Sequence, residues 1–215
     1  MKIDHQIIVD RIHLLTFDNQ INLTSTFLRF QEHYESPHFK GKYFTLDEFK
    51  DWYIKTSPNG KKYGTFTYYT DWSGFNIPSY ILKPFYNGTF NPLSENEKQF
   101  LSFFENNGND FYIIGALKKT SFGQSAIVHE TAHGLFYLNE SYRKEVEQII
   151  SAYDVHKFNE KLIDMGYHQD VLVDEIQAYC IDSTFEMEQY FQLNMISEIQ
   201  NTFQKYIQLN FDAII

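Results

Sequence analysis

A short segment of the chain combines two histidines with a glutamate at a spacing that suits metal-dependent chemistry. Residues 129–133 read His-Glu-Thr-Ala-His. If this segment is helical, its histidines lie on one face, about 6 Å apart along the axis, so that both imidazoles can reach one metal ion. Glu130 can then hold and deprotonate a water molecule bound to that ion. The segment therefore predicts a hydrolytic metal centre with His129 and His133 as ligands.

The surroundings of this segment predict that it is buried. Residues from Gln124 to Leu138 are apolar on nearly every side of the predicted helix. Burial of two histidines and a glutamate without partners costs on the order of several kcal/mol, and a metal ion commonly recovers that cost. The ordinary alternatives are a chance match and a buried helix whose histidines are satisfied by hydrogen bonds. We favour a Zn2+ site over both.

A catalytic zinc ion needs a third protein ligand and one open position for water. One known arrangement takes a histidine six residues after the second, but that position holds Asn139, and Phe136 replaces the glycine expected with it. The other arrangement takes a glutamate from a separate, later helix. Residues 172–179, Leu-Val-Asp-Glu-Ile-Gln-Ala-Tyr, contain such a glutamate.

His-Glu-x-x-His at 129–133 and Glu-x-x-Ala at 175–178 together resemble the gluzincin group of zinc metallopeptidases. The resemblance covers residues 111–183. It implies that Glu175 is the third zinc ligand and that the small Ala178 lets the two helices approach each other. It also implies a zincin-like fold and the cleavage of peptide bonds in a peptide or protein substrate.

The gluzincin resemblance implies roles for further residues. Glu130 would pass the proton of a zinc-bound water to the leaving amine, while a tyrosine or histidine stabilises the oxyanion. His168, seven residues before Glu175, is the first choice for this donor. Its rivals are Tyr142, Tyr167 and Tyr179.

The chain departs from the gluzincin pattern on the second helix. Tyr179 stands where many members carry an aspartate that supports a metal-binding histidine. Support for His129 or His133 must then come from another residue. Asp174 is our candidate.

We expect one domain over residues 1–215, with an α+β fold, a small β-sheet and a mainly helical C-terminal half. Residues 1–92 are rich in aromatic side chains, and residues 93–215 carry the helical patterns and the metal site. Strands are predicted at 64–69 and 111–117, and turn formers fill 71–78. The edge of the second strand would pair with an extended substrate, as in related enzymes, unless the strand is simply core.

Two capping boxes predict helix starts near residues 45 and 94, because the hydroxyl and the carboxylate three residues later each satisfy a free backbone amide. These are Thr45 with Glu48, and Ser94 with Glu97. Further helices are predicted at 123–138, 141–152, 156–165, 170–183 and 185–208.

Composition and charge argue against several classes of protein. The net charge of −10 and the lack of a Lys/Arg cluster argue against nucleic-acid binding. No stretch approaches the roughly 18 apolar residues of a membrane span, and the N-terminal segment lacks the apolar core of a signal peptide. The single Cys180 cannot form an internal disulfide. We expect a cytoplasmic protein, although a protein secreted without a cleaved signal peptide would show the same sequence features.

The predicted function is zinc-dependent peptide-bond hydrolysis, with Glu130 activating a zinc-bound water. One alternative is a non-catalytic binding or regulatory protein that a metal ion stabilises. Another is a zinc hydrolase that acts on a nonpeptide bond, because the motif defines water activation rather than the bond attacked. The remaining histidines show no ligand spacing and are expected at the surface, namely His5, His13, His33, His38 and His156.

Overall fold

The residues described by the structure, a computed structural model, contain one four-stranded mixed sheet; they are 2–118, 121–165, 167–182 and 192–207. The strands are β1 (Ile3–Val9), β2 (Ile12–Phe17), β3 (Gly74–Pro78) and β4 (Tyr112–Leu117). They lie in the order β1-β2-β4-β3. The β2/β4 pair is parallel and the two outer pairs are antiparallel.

Helices from the second half of the chain cover one face of the sheet. These helices and the sheet share one hydrophobic cluster, to which Leu14 and Ile114 contribute from the central strands. The elements that follow β4 are α7 (Ser121–Leu138), α8 (Glu140–Ser151), α9 (His156–Asp164), a 3-10 turn (Gln169–Val171), α10 (Leu172–Asp182) and α11 (Leu193–Ile207).

Aromatic side chains fill the other face. Successive strand residues point to opposite sides, so Leu15 and Ile113 enter this second cluster. Phe27 stacks on Phe75, with ring centroids 5.4 Å apart. The covering elements are α1 (Gln20–Glu35), α2 (Leu46–Thr56), α4 (Tyr68–Asp71), a 3-10 turn (Ser79–Leu82), α5 (Lys83–Tyr86) and α6 (Glu95–Ser102), and α3 (Pro58–Tyr63) packs beside α2.

A buried ion pair ties α1 to α6. Nε of Arg29 lies 2.6 Å from Oε1 of Glu97, and Nη2 of Arg29 lies 2.7 Å from Oε2 of Glu97. Glu97 also closes the capping box with Ser94. Because breaking a buried pair costs about 3–5 kcal/mol, this contact holds α1 firmly against the aromatic cluster.

The α+β class is confirmed, and so are most of the predicted elements. Both capping boxes form, at Thr45 and at Ser94. The strand predicted at 111–117 is β4, and the first four helices predicted from residue 123 onward match α7 to α10 to within a few residues, whereas the helix predicted at 185–208 is seen as α11 over Leu193–Ile207. Residues 183, 185–191 and 208 of the predicted helices lie outside the described residues.

Two predictions for residues 64–78 are wrong. The segment at 64–69 is not a strand: it runs through irregular backbone into α4, where Asp71 accepts hydrogen bonds from Tyr53 and Thr67. Packing of the aromatic rings against α2 has overridden the alternating pattern. The turn formers at 71–78 give way to β3, in which Phe75 and Ile77 are buried.

Of the two roles considered for the strand at 111–117, the substrate-pairing edge is wrong and the core strand is confirmed. Strand β4 pairs with β2 on one side and with β3 on the other, so neither of its edges is free. Among the described strands, β3 forms the edge on that side of the sheet. If an extended peptide pairs with the sheet beside α7, β3 is the strand available to it.

The surface position predicted for His13 is also wrong. This residue lies in β2 and is only 5% exposed. Its Nδ1 lies 2.8 Å from Nε2 of His5, and the two rings stack with centroids 5.1 Å apart. Burial, with the neighbouring His5, lowers the pKa of His13 to about 4. The sheet therefore holds His13 as a neutral imidazole.

We expect acid to destabilise the fold through His13. Its pKa is about 4 when folded and about 6.5 when unfolded, so between these values the unfolded chain binds more protons. Lowering the pH through this window should therefore remove about 3 kcal/mol of stability, and His13→Leu should abolish that part of the loss. Denaturant unfolding at several pH values measures it, with His38→Leu as the exposed control. Equal pH dependence of His13→Leu and the wild type would contradict the assignment.

Among the described residues, no helix combines the length and the apolar character that crossing a bilayer requires.

Candidate metal centre

Close contact with the sheet fixes the position of helix α7. A Cβ atom at Gly134 would lie 2.7 Å from Cδ1 of Ile12 and 3.0 Å from Cδ1 of Tyr112. These distances leave no room for a side chain, so the glycine lets α7 lie directly on β2 and β4. The residues just before it, including His133, are thereby held at a fixed height above the sheet.

Helix α10 packs beside α7 and brings its own acidic residues to the same place. Ala132 of α7 and Ala178 of α10 are both fully buried in the hydrophobic cluster that the two helices share. Small residues such as these allow close approach of helices, as predicted for Ala178. Cys180 is buried in the same cluster, in agreement with its expected role as a small apolar side chain.

His129, His133 and Glu175 come together between these helices. Nε2 of His133 lies 3.2 Å from Nε2 of His129 and 3.8 Å from Oε1 of Glu175. One ligand atom from each residue lies within 4.8 Å of the other two. In a tetrahedral zinc site with ligand distances of about 2.0–2.1 Å, neighbouring ligand atoms are about 3.3 Å apart. The two imidazole nitrogens thus have the spacing of a pair of zinc ligands, and the carboxylate oxygen lies somewhat farther away.

Each histidine is held from behind by an aspartate of α10. Nδ1 of His129 lies 3.0 Å from Oδ2 of Asp182, and Nδ1 of His133 lies 2.9 Å from Oδ1 of Asp174. Carboxylates accept hydrogen bonds, so both Nδ1 atoms carry the proton and each Nε2 atom is left to bind something else. The predicted contact of Asp174 with a histidine is confirmed.

Comparisons with protein-family models, with curated proteins and with solved structures found no match to this chain. What the site can do is therefore inferred from its own geometry and chemistry.

The donor set fits a divalent metal ion better than a set of ordinary hydrogen bonds. With both Nδ1 atoms protonated, the two Nε2 lone pairs face each other at 3.2 Å, an arrangement that needs a proton or a cation between them. Oε2 of Glu175 is buried, and none of the described residues gives it a hydrogen bond. Two imidazoles and one carboxylate form a common protein ligand set for catalytic zinc.

Charge in the site also favours a cation. Burial lowers the pKa of His133, but the carboxylates of Asp174 and Glu175 outweigh it and raise that pKa well above its ordinary value. Burial raises the pKa of Glu175, although both histidines oppose the shift. A further positive charge beside the buried carboxylate of Glu175 would therefore stabilise its charged form, and a divalent ion would supply that charge.

Loss of either supporting aspartate should weaken metal binding. We expect Asp182→Asn and Asp174→Asn each to lower zinc affinity by about 10- to 100-fold, because the neutral amide no longer polarises and orients its histidine. Competition with a chromophoric chelator measures this affinity. The exposed Asp170→Asn serves as the control. Unchanged affinity in both variants would show that the aspartates do not support the ligands.

Glu130 points from α7 toward the edge strand β3. Its Oε2 accepts a hydrogen bond from Nδ2 of Asn76, and Oδ1 of Asn76 accepts one from the hydroxyl of Tyr112. A Cβ atom at Gly74 would lie 3.4 Å from Oε1 of Glu130. Oε2 of Glu130 is thus held by a hydrogen bond, while Oε1 faces Gly74, which has no side chain.

A cavity of about 170 Å³ lies against these groups. Its walls include His129, His133, Glu130 and Glu175, with Glu32 and Glu35 contributed by α1. Among the described residues, no lysine or arginine lines it. The cavity is therefore acidic, and it joins the three potential ligands to the carboxylate of Glu130.

The residues predicted as oxyanion donors lie at different distances from this cavity. His168 does not line it: its side chain is 70% exposed and contacts Asp170. Tyr142 is fully buried and donates to Gln177. Tyr167 does line the cavity. Its hydroxyl lies 3.1 Å from that of Tyr179, whose ring packs edge-on against His129.

Sequence reasoning missed two groups of residues at this site. Asp182 carried a usable signal, because it follows Glu175 by seven residues and two helical turns return it to the same face. Asn76 and Tyr112 carried none, because their contact with Glu130 depends on the pairing of β3 with β4. The same holds for the acidic residues of α1.

Proposed function

We propose that the protein is a zinc metallopeptidase of the gluzincin type with a zincin-like fold. One observation carries the proposal: Nε2 atoms of His129 and His133 and Oε1 of Glu175 converge, while an aspartate holds each imidazole from behind. A proton shared by the two Nε2 atoms would satisfy the imidazoles but would leave the buried carboxylate of Glu175, whose Oε2 has no hydrogen-bond partner among the described residues, unsatisfied. A bound zinc ion would satisfy it.

The chain's own residues divide the work. His129, His133 and Glu175 would hold the zinc ion, which supplies Lewis-acid polarisation and makes water a better nucleophile near neutral pH. Glu130 lines the cavity beside them and would accept the proton from the attacking water. The same carboxyl group would then give that proton to the leaving amine.

Tyr167 is the best placed of the residues considered as oxyanion donor. It lines the cavity with the three ligands, whereas His168 faces solvent. Burial raises the pKa of Tyr167, so the hydroxyl keeps its proton and can donate it. Tyr179 would orient that hydroxyl through the 3.1 Å contact between the two oxygens.

An extended substrate would lie along β3. This strand borders the cavity through Gly74, Phe75 and Asn76, and it is an edge of the sheet. The backbone N–H of Asn76 donates to Oε1 of Gln31 at 3.3 Å. A substrate carbonyl could take the place of this side chain, so β3 would have the pairing role that the sequence predicts for β4.

The substrate class is tested by offering the zinc-loaded protein both peptide and nonpeptide bonds. We expect a diverse peptide library, followed by mass spectrometry, to reveal cleavage that a chelator stops and added zinc restores. The parallel panel contains simple esters and acetylated amines. If only the esters or acetylated amines are turned over, the protein is a nonpeptide zinc hydrolase rather than a peptidase. If the zinc-loaded protein turns over neither peptides nor this panel, a non-catalytic role is favoured.

A further inference from the structure

Asn76 connects the proposed base to the interior of the sheet. Its side chain donates from Nδ2 to Oε2 of Glu130 and accepts at Oδ1 from the hydroxyl of Tyr112. Its backbone N–H is held by Gln31. Three contacts on three different atoms therefore fix this residue in β3.

The direction of this hydrogen-bond chain is defined at both ends. Glu130 as a carboxylate can only accept, so it must meet the NH2 end of the asparagine amide. Tyr112 is 2% exposed, and burial raises its pKa well above the ordinary value, so its hydroxyl remains a donor for the carbonyl end. The two neighbours thus exclude the flipped orientation of the amide.

We propose that Asn76 is a positioning residue that selects the reactive oxygen of Glu130, an inference that rests on the proposed peptidase function. Oε2 is occupied by the amide of Asn76, so Oε1 is the atom left to take the proton from water. Gly74 keeps the Oε1 side open: a Cβ there would lie 3.4 Å from Oε1 and 2.9 Å from Cβ of Ala126.

Without Asn76 the carboxylate of Glu130 could rotate away from the attacking water. Misplacement of a reacting group by about 1 Å can cost on the order of 100-fold in rate. The metal ligands are untouched by this rotation, and so is substrate binding along the strand. The effect should therefore fall on kcat and leave KM and zinc content nearly unchanged.

The first measurement is steady-state kinetics of zinc-loaded variants. We expect Asn76→Ala to lower kcat by about 10- to 100-fold and Asn76→Asp by more, because two carboxylates then face each other. Tyr112→Phe should lower kcat by a smaller factor, because it removes only the hydrogen bond to the side-chain carbonyl of Asn76 and leaves the contact between Asn76 and Glu130 in place. The controls are Asn19→Asp, which keeps a helix cap, and Tyr86→Phe, which loses one hydrogen bond to Leu101 outside the cavity.

A second measurement follows the contact itself and needs no turnover. The side-chain amide resonance of Asn76, assigned by its absence in Asn76→Ala, should shift in Glu130→Ala and in Tyr112→Phe but not in the controls. An amide that does not respond to Glu130→Ala overturns the inference. The inference is also overturned if the wild type cleaves peptides and Asn76→Ala has the same kcat. A zinc-loaded wild type that cleaves nothing overturns the proposed function itself.

Discussion

Glu130→Ala should lower kcat for peptide cleavage by at least about 1,000-fold while the protein still binds one zinc ion, since general acid–base catalysis contributes about 10²–10⁴-fold. Its carboxylate lines the cavity beside the three proposed ligands but is not one of them. Removing it takes away the group that moves the proton in both halves of the reaction. Parallel assays of kcat and of zinc content on the same preparations measure this separation.

The control for this variant is Glu147→Ala, an exposed glutamate on α8. It should leave both kcat and zinc content unchanged. Activity of Glu130→Ala equal to that of the wild type would contradict the enzymatic role of the motif. Loss of zinc together with activity would mean that Glu130 holds the metal, which the geometry does not predict.

Removal of a histidine should have the opposite signature, because the metal is lost first. Zinc sites in proteins have binding free energies of about 10–16 kcal/mol, so one ligand of four contributes about 3 kcal/mol, or roughly 100-fold in affinity. We expect His129→Ala and His133→Ala each to lower zinc affinity by at least this factor and the double variant to bind no zinc at micromolar concentration. Titration against a competing chelator provides the measurement.

The matched control is His156→Ala, whose side chain is 76% exposed and lies 3.2 Å from the carboxylate of Glu160. Because the folded state could itself suffer from the loss of a buried imidazole, far-UV circular dichroism should accompany each titration. A folded double variant that retains zinc with wild-type affinity would place the metal elsewhere.

Much of the ligand set follows from local periodicity, which the sequence carries directly. Four residues make about one helical turn, so the spacing of His129 and His133 predicts that they face the same way, and they do. Glu175 required a resemblance to a known group, since nothing local says that α10 packs beside α7. To predict that Asp182 supports His129, one needs to know both that α10 is helical and that it packs against α7.

The sheet was harder to predict because its central strands are buried on both faces. Residues 12–17 of β2, Ile-His-Leu-Leu-Thr-Phe, do not alternate between apolar and polar side chains, so periodicity does not distinguish this strand from a buried helix. In β3, Asn76 lies between the buried Phe75 and Ile77 in a segment full of turn formers. Its pairing with β4 joins residues distant in sequence, and only that pairing brings Asn76 to Glu130.

The chemistry of the wider cavity was also beyond the sequence. The acidic side chains of α1, Glu32 and Glu35, lie about 100 residues before the motif and reach it only because α1 packs across the aromatic face of the sheet. Tyr167 was one of several tyrosines near the second helix. Its position in the cavity wall distinguishes it from Tyr142, which is enclosed in the core.

X-ray absorption spectroscopy of the zinc-loaded protein tests the central claim most directly. We predict one zinc ion per chain whose spectrum requires two imidazole nitrogens and protein or water oxygens at about 2.0–2.1 Å, and whose imidazole signal disappears in the His129→Ala/His133→Ala variant. A sulfur ligand, a shell without imidazole, or a wild-type protein that takes up no zinc would contradict the proposed centre.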